Sequence, residues 1–375
     1  MPELVAIDAP GGADFVRILQ QVWDRGDAAL PLDQRLSGPA REALLDALAP
    51  AQVAGPDGTA ARRAGGRPVE PGDALVMATS GTTGRPKGVV LTHEAVAASA
   101  RATSDRLGVD PAEHRWLACL PLNHVGGLSV VTRSIWTGTP LDVLPGYDAA
   151  AVEALAGPNV MVSLVATALA RTPAALFHTV VLGGSAPPPD LDANVVTTYG
   201  LTETGSGVVY DGFPLAGVEV DLEPGSGQIR LRGPMLLRAY RDGTVPLDRD
   251  GWLTTGDVGA FAPDGRLTVA GRWSDMIISG GENIWPGPVE DAIRSHPGVA
   301  EVAVAGRPDP DWGQRVVAWV VPVPGGSPPR LEELRDLVGA TLARYAAPRQ
   351  LVLTDALPRT SIGKVRRDLL LLPGD

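Results

Sequence analysis

Ten residues constrain this chain more than any others: TSGTTGRPKG, Thr79 to Gly88, behind the apolar run Ala74 to Ala78 and ahead of the helix-like segment Thr92 to Arg106. That order predicts strand, loop, helix. Gly81, Gly84 and Gly88 allow backbone turns and close approach to a ligand that other residues forbid, while Thr79, Ser80, Thr82, Thr83 and Lys87 add side-chain donors. Successive amides in such a turn form a concave nest for an anion, and a cation beside it suits polyphosphate better than a single carboxylate. The common nucleotide loop needs Gly-Lys-Ser/Thr in succession. Here Arg85 and Pro86 separate Gly84 from Lys87, and Gly88 follows the lysine.

The cations narrow the reading further. Of the 32 Lys plus Arg, only Lys87 and Lys364 are lysines, which leaves 30 arginines. A guanidinium is a planar fork, whereas an ammonium is a compact charge on a flexible stem that fits a crowded phosphate or transition state. The two lysines are therefore candidate reaction-centre residues.

At 375 residues the chain has length for two or three domains. A hydrophobic fraction of 44% with 20% charged residues is ordinary for a globular protein, and 45 Gly with 35 Pro promise many turns. Cys119 stands alone, so no internal disulfide forms and no oxidising compartment is required. The opening residues lack the basic and apolar segments of a signal peptide, and no apolar run reaches about 18 residues, so a cytoplasmic location and no membrane partner are expected. A net charge of −11, with no basic cluster beyond Arg366 and Arg367, argues against nucleic acid. Anionic ligands must be captured by local sites.

At Thr79 to Gly88 the chain resembles the adenylate-forming superfamily, which includes acyl-CoA synthetases, peptide-synthetase adenylation domains and luciferases. GGSAPP at Gly183 to Pro188 and YGLTET at Tyr199 to Thr204, each after a predicted strand, are similar to its nucleotide pocket. The resemblance implies ATP contacts from Thr79, Ser80, Gly81, Thr82, Thr83, Gly84 and Lys87, from Gly183, Gly184 and Ser185, and from Thr198, Tyr199, Gly200 and Thr202. It also implies that Glu203 holds Mg2+, a hard ion that takes one or two carboxylates beside phosphate oxygens. Asp257 in GWLTTGDVG would accept from the ribose hydroxyls, with Arg272 nearby. GRWSDMIISGGENI resembles the superfamily's hinge, with the pivot at Ser274 and Asp275, and carries Gly280 and Gly281 beside a CoA channel. The superfamily has Asp or Lys at the pivot itself, where this chain has Ser274. LPRTSIGKVRR places Lys364 in the position of the catalytic lysine, so Lys364, Lys87 and Glu203 are the expected catalytic set.

The acid substrate is harder to read. RWLACLPLNHVGG reads as a buried strand ending in a polar turn, and the resemblance sets His124 against the acyl group, although it could be an ordinary loop histidine. Gly205 is implied beside it. Arg133 lies in LSVVTRSIW, a predicted helix. Buried, it needs an anion, because an isolated internal charge costs several kcal/mol. That anion is a substrate carboxylate or an internal Asp or Glu, unless the side chain faces solvent. YGLTETGSGVVYDG, PLNHVGG and Arg133 in so short a chain resemble those members whose acid keeps a second, unreacted carboxylate, which makes Arg133 the candidate cation of the acid pocket.

The architecture expected is α/β. A large domain over residues 1–271 combines α/β layers with a small antiparallel barrel, since period-two patterning begins at Gly217 and Pro263, Asp264 and Gly265 signal a hairpin. Its start looks shortened against the superfamily. Residues 272–275 form the hinge, and residues 276–375 a small mobile α+β domain, with helices at Pro288 to Ser295 and Leu331 to Arg344 and strands at Ala300 to Gly306 and Arg315 to Val321. The resemblance implies ATP, Mg2+ and CoA as small-molecule partners, no tightly bound organic cofactor, and room for a homodimer. The activity implied is formation of an acyl adenylate followed by transfer to a thiol. Loading of a carrier protein, a different acid, or a non-catalytic relative are the alternatives.

Overall fold

Short unbroken apolar runs mark strands buried on both faces. In the computed structural model, which describes residues 1–80, 86–359 and 365–372, such runs make the centres of two seven-stranded sheets. The first sheet runs Ala239–Tyr240, Pro86–Thr92, Asp73–Ser80, Ala28–Pro31, Leu4–Ile7, Gln52–Ala54, Ala60–Arg62. Leu4–Ile7 and Ala28–Pro31 are buried along their whole length and pair in parallel. The second runs Phe213–Pro214, Gly207–Tyr210, Val195–Gly200, Phe177–Leu182, Gly157–Leu164, Arg115–Ala118, Leu141–Val143. Its members from Val195–Gly200 to Leu141–Val143 are parallel, and Gly207–Tyr210 closes back antiparallel. Residues 1–73, which carry no chemical motif, thus supply four strands of the first sheet.

The helix Ala13–Asp24 buries Phe15, Ile18, Leu19 and Val22, a spacing that puts one apolar face on the sheet. The helices His93–Leu107 and Val125–Thr137 pack against each other. Both sheets and these helices lie in one unit, Met1–Asp221 with Arg230–Thr254 and Pro263–Arg266.

The sequence order strand, loop, helix needs correction. Pro86–Thr92 is a second strand, antiparallel to Asp73–Ser80 with Thr79 opposite Lys87, and it precedes the helix His93–Leu107, which begins where the sequence placed it. Val89, Val90 and Leu91 are buried and extend the sheet, and the Thr92 hydroxyl accepts from the Ala95 amide at 3.1 Å to open the helix. Asp73–Ser80 and Pro86–Thr92 thus make an antiparallel hairpin, and residues 81–85 between them lie outside the described residues.

The second unit comprises Leu222–Ile229, Thr255–Ala262 and Leu267–Asp375. In it Asp257 to Phe261 pair antiparallel with Leu267 to Arg272, as the Pro263 to Gly265 signal predicted. Beyond them is a five-stranded sheet of Glu282–Ile284, Ile277–Ser279, Gly313–Pro322 and Val299–Asp309, with Gln350–Leu353 added in parallel to Gly313–Pro322. Helices Pro286–Arg294 and Leu331–Thr341 cover it through Val289, Ile293, Leu334 and Val338. The second helix stops short of Arg344, because Leu342 turns extended and packs on this core. Among the described residues no helix is long and apolar enough to cross a membrane.

The two-residue strand Ala239–Tyr240 would be marginal alone. Arginines on both sides pin it. Arg238 makes a two-pronged ion pair with Asp73, 2.9 Å to each oxygen, and Asp73 is only 1% exposed. Arg241 donates to the carbonyl oxygens of Leu48, Pro68 and Arg67 at 3.1, 2.7 and 2.5 Å. Burial and then Arg67 draw its pKa down to about 10, which leaves it charged at neutral pH. Arg238→Ala strands the Asp73 carboxylate and is expected to cost about 2 kcal/mol, at the low end for a buried pair because the arginine is partly exposed. Urea unfolding of the variant checks this, and an unchanged midpoint would contradict it.

Candidate active site

The hairpin holds Lys87 next to the strand that carries Tyr240, since Tyr240 pairs with Val89. The Lys87 Nζ lies 5.0 Å above the centre of the Tyr240 ring, a cation–π contact. The Tyr240 hydroxyl donates to Glu203 Oε1 at 2.9 Å. Burial, and then the Glu203 carboxylate, push the phenol pKa up, so the hydroxyl stays un-ionised and able to donate. Glu203 sits in the short 3-10 turn Thr202–Thr204, and its carbonyl accepts from the Leu237 amide at 2.7 Å. The structure thus brings together Lys87 and Glu203, 116 residues apart by their numbers, through a tyrosine that sequence reasoning missed. Gly81, Thr82, Thr83, Gly84 and Lys364 lie outside the described residues. Thr79 and Ser80 end the first strand of the hairpin.

Gly183, Gly184 and Ser185 follow the strand Phe177–Leu182, and the Gly183 amide donates to the Leu164 carbonyl at 3.2 Å. A Cβ on Gly183 would lie 2.7 Å from Thr198 Oγ1, so glycine here lets the turn lie against the Val195–Gly200 strand. Thr198, Tyr199 and Gly200 occupy that strand, where Gly200 faces Gly207 across an irregular register. A Cβ on Gly200 would come 2.2 Å from the Ser206 carbonyl oxygen. The strands approach this closely only because glycines oppose. Gly205, with φ of 67°, follows the Glu203 turn and borders a narrow cavity of about 10 Å3 whose walls include Leu75, Leu91, Val96, Leu128 and Thr132.

His124 is the N-cap residue of Val125–Thr137, with φ −119° and ψ 145°. Burial lowers its pKa, Asp33 opposes this, and Arg35 adds to it, so the imidazole is neutral near pH 7. Its Nε2 lies 3.2 Å from the Asn123 amide nitrogen. Arg133, more than two turns into the same helix, is 2% exposed. Its Nη2 donates to Ser206 Oγ at 2.5 Å and reaches Tyr210 Oη at 3.5 Å, and its guanidinium lies 5.3 Å from the Trp116 ring centre. Nε and Nη1 are buried with no hydrogen-bond partner. Neither solvent nor an internal carboxylate among the described residues answers this charge, which removes two of the three readings the sequence left open.

In the second unit Asp257 and Arg272 face each other across the hairpin, with Arg272 Nε 2.8 Å from Asp257 Oδ1 and Nη1 donating to the Thr255 carbonyl at 3.1 Å. Two residues expected as separate ribose contacts are thus one ion pair. Ser274 and Asp275 fall in the 3-10 turn Trp273–Asp275, where Asp275 Oδ2 lies 3.4 Å from Arg367, which also holds Glu290 at 2.5 Å. Gly280 and Gly281 have φ of 62° and 85°. The Trp312 ring packs on Gly280, so a Cβ there would meet it at 2.7 Å.

Two family models match the chain: AMP-binding enzyme over residues 20–240 and AMP-binding enzyme C-terminal domain over residues 288–364. The chain belongs to the AMP-binding enzyme family. Similar AMP-binding enzymes include the "Probable 2-succinylbenzoate--CoA ligase" of Mycobacterium tuberculosis, 42% identical over 331 residues, covering 81% of this chain and 85% of that one. The 2-succinylbenzoate–CoA ligase of Bacillus cereus is 37% identical over 335 residues, covering 78% and 69%. Among solved structures, o-succinylbenzoate CoA synthetase (MenE) from Bacillus subtilis in complex with the acyl-adenylate intermediate OSB-AMP matches with a TM-score of 0.85 and 29% identity over 98% of this chain and 87% of that chain. The same protein with ATP and magnesium ion also matches at 0.85, with 29% identity over 98% and 89%.

An AMP-binding enzyme with a magnesium ion needs oxygen ligands from protein and nucleotide together. Glu203 fits that need. Tyr240 engages Oε1 alone, no cation pairs with the carboxylate among the described residues, and no group of three or more metal-binding side chains surrounds it there. One carboxylate beside phosphate oxygens is the usual magnesium set. Tyr240, Ser206, Tyr210 and Trp116 escaped the sequence reading because their partners come from distant strands, and no local motif marks them. Gly200→Ala is expected to force Ser206 and Gly207 apart and to destabilise the chain by about 2 kcal/mol through overpacking. A denaturant melt that matches the unaltered chain would show that the strands have slack.

Proposed function

We propose that this chain is an ATP-dependent acid–CoA ligase that activates 2-succinylbenzoate as an acyl adenylate and passes the acyl group to CoA, in menaquinone biosynthesis. The observation that carries the substrate is Arg133, a buried guanidinium with two N–H-bearing nitrogens lacking a partner. An unanswered internal cation is costly, and the ring carboxylate of 2-succinylbenzoate, which takes no part in the reaction, is an anion of the right kind. Ser206 and Tyr210 hold the guanidinium from its Nη2 side. The neutral His124 adds no second charge at the start of the same helix.

The chemistry joins two anions, so it rests on neutralisation and alignment. A carboxylate oxygen of the acid bonds to the α-phosphorus of ATP as the bond from that phosphorus to pyrophosphate breaks. Lys87 and the amides of its loop hold the departing pyrophosphate. Magnesium, held by Glu203, neutralises phosphate charge when bound. Lys364 bridges the attacking carboxylate and the α-phosphate. The CoA thiolate then bonds the acyl carbon, AMP leaves with the electron pair, and the thiol proton passes to solvent. Thioester formation requires Lys364 to withdraw, through rotation at Ser274 and Asp275, with Gly280 and Gly281 lining the approach of the thiol. Asp257 with Arg272 serves the ribose, and Gly183 to Ser185 with Thr198 to Gly200 and Thr202 the rest of the nucleotide. ATP and CoA as substrates make the cytoplasm its place of work.

Arg133→Leu is expected to raise the KM for 2-succinylbenzoate roughly 100-fold, the loss of charge-assisted bonds to one carboxylate, while ATP saturation is unaffected. Steady-state assay of AMP release checks it, and an unchanged KM sinks the substrate assignment. Lys364→Ala is expected to abolish acyl-adenylate formation yet still convert supplied acyl adenylate and CoA to thioester. Equal losses in both half-reactions would rule out the proposed withdrawal.

A further inference from the structure

Lys87 and Glu203 carry opposite charges in one half-buried region, yet among the described residues neither takes part in an ion pair. Elsewhere the chain pairs such groups directly, as Asp257 with Arg272 or Asp73 with Arg238. Tyr240 stands between the two. Its ring face takes the Lys87 ammonium at 5.0 Å and its hydroxyl takes Glu203 Oε1 at 2.9 Å. An ammonium and a carboxylate free to meet would quench each other, and each would then have to be pulled from its partner before meeting phosphate or metal.

We infer that Tyr240 is a positioning residue for the adenylation step: it aims Glu203 so that Oε2 faces the magnesium–nucleotide complex, and it holds the Lys87 ammonium apart from that carboxylate. A hydrogen bond on one carboxylate oxygen fixes the carboxylate plane and biases the other oxygen toward the metal, the way outer partners orient metal ligands in general. The hydroxyl can do this only if it is itself fixed, and it is. Tyr240 pairs with Val89 in the sheet, its amide donates to the Thr244 carbonyl at 2.8 Å, and its carbonyl accepts from Gly243 at 2.9 Å. Arg238 and Arg241 lock the residues on either side, to Asp73 and to the carbonyls of Leu48, Pro68 and Arg67. The same segment also grips the other end of Glu203, since the Leu237 amide donates to the Glu203 carbonyl at 2.7 Å. Residues 237–240 therefore set both the backbone and the carboxylate of Glu203.

Gly88 makes this approach feasible. A Cβ there would meet Val76 at 2.7 Å and Arg241 at 2.9 Å, so the residue after Lys87 must be bare for the Arg241 clamp to close. The division of labour within the tyrosine is also explicit. The ring serves Lys87 and the hydroxyl serves Glu203, so the two can be removed separately.

The inference rests on the acid–CoA ligase reading, and its test separates the two. Mn2+ binding to the protein with and without ATP is measured by electron paramagnetic resonance, and ATP binding without metal by calorimetry. Tyr240→Phe, which keeps the ring, is expected to weaken Mn2+ binding to the ATP complex about tenfold and to leave metal-free ATP binding and the melting temperature unchanged. Tyr240→Leu, which also removes the ring, is expected to weaken metal-free ATP binding as well. In the Glu203→Gln background, Tyr240→Phe is expected to add no further loss, because the hydroxyl acts through that carboxylate. Equal Mn2+ affinity in Tyr240→Phe and the unaltered chain, or equal losses with and without metal, overturns the inference and leaves the ligase reading standing. Absence of any ATP-dependent Mn2+ binding by the unaltered chain overturns both.

Discussion

A charge taken out of water has to be answered by another charge, and the internal ionic groups of this protein separate by what answers them. Asp73 is answered by Arg238, Glu290 by Arg367 and Asp257 by Arg272, all within the chain. Lys87, Glu203 and Arg133 take part in no ion pair among the described residues. The first set holds strands and turns in register. The second is met by neutral groups instead, Lys87 and Glu203 by Tyr240, and Arg133 by Ser206, Tyr210 and the Trp116 ring.

The two sheets explain why these groups fall where they do. Parallel strands buried on both faces leave their ends as the only places where polar chains gather, and Gly183 to Ser185 and Thr198 to Gly200 lie at such ends. Close backbone contact does the rest. Gly200 opposite Gly207, and Gly88 beneath Arg241, bring strands and side chains to distances that a methyl group would block. The second unit uses the same device, with Trp312 against Gly280. Glycines that a sequence reading takes for loop flexibility are here sites of close packing.

The sheet-and-helix plan was legible where one apolar pattern ran unbroken: Leu334 and Val338 on one helix face, or Val316 to Val320 along one strand. It was misread at Pro86–Thr92, because a short run flanked by a glycine-rich loop and a helix can be either loop or strand, and only pairing with Asp73–Ser80 decides which. For the same reason Leu342 could not be seen to end its helix, since the core that draws it in is assembled from other strands.

From the order of residues alone came the glycine-rich segment Thr79 to Gly88, the scarcity of lysine, the acid of the Thr202–Thr204 turn and the division into α/β and α+β parts. These are local facts, carried by neighbours in the chain and by the conformations their side chains permit. Tertiary structure alone decided that Arg133 meets no carboxylate among the described residues, that Asp257 and Arg272 are a pair, and that Tyr240 stands between Lys87 and Glu203. Those relations join residues up to 153 positions apart, Lys87 and Tyr240 by their numbers. Sheet register and burial set them, and the sum of many weak contacts across the fold fixes both, which no short stretch of sequence encodes.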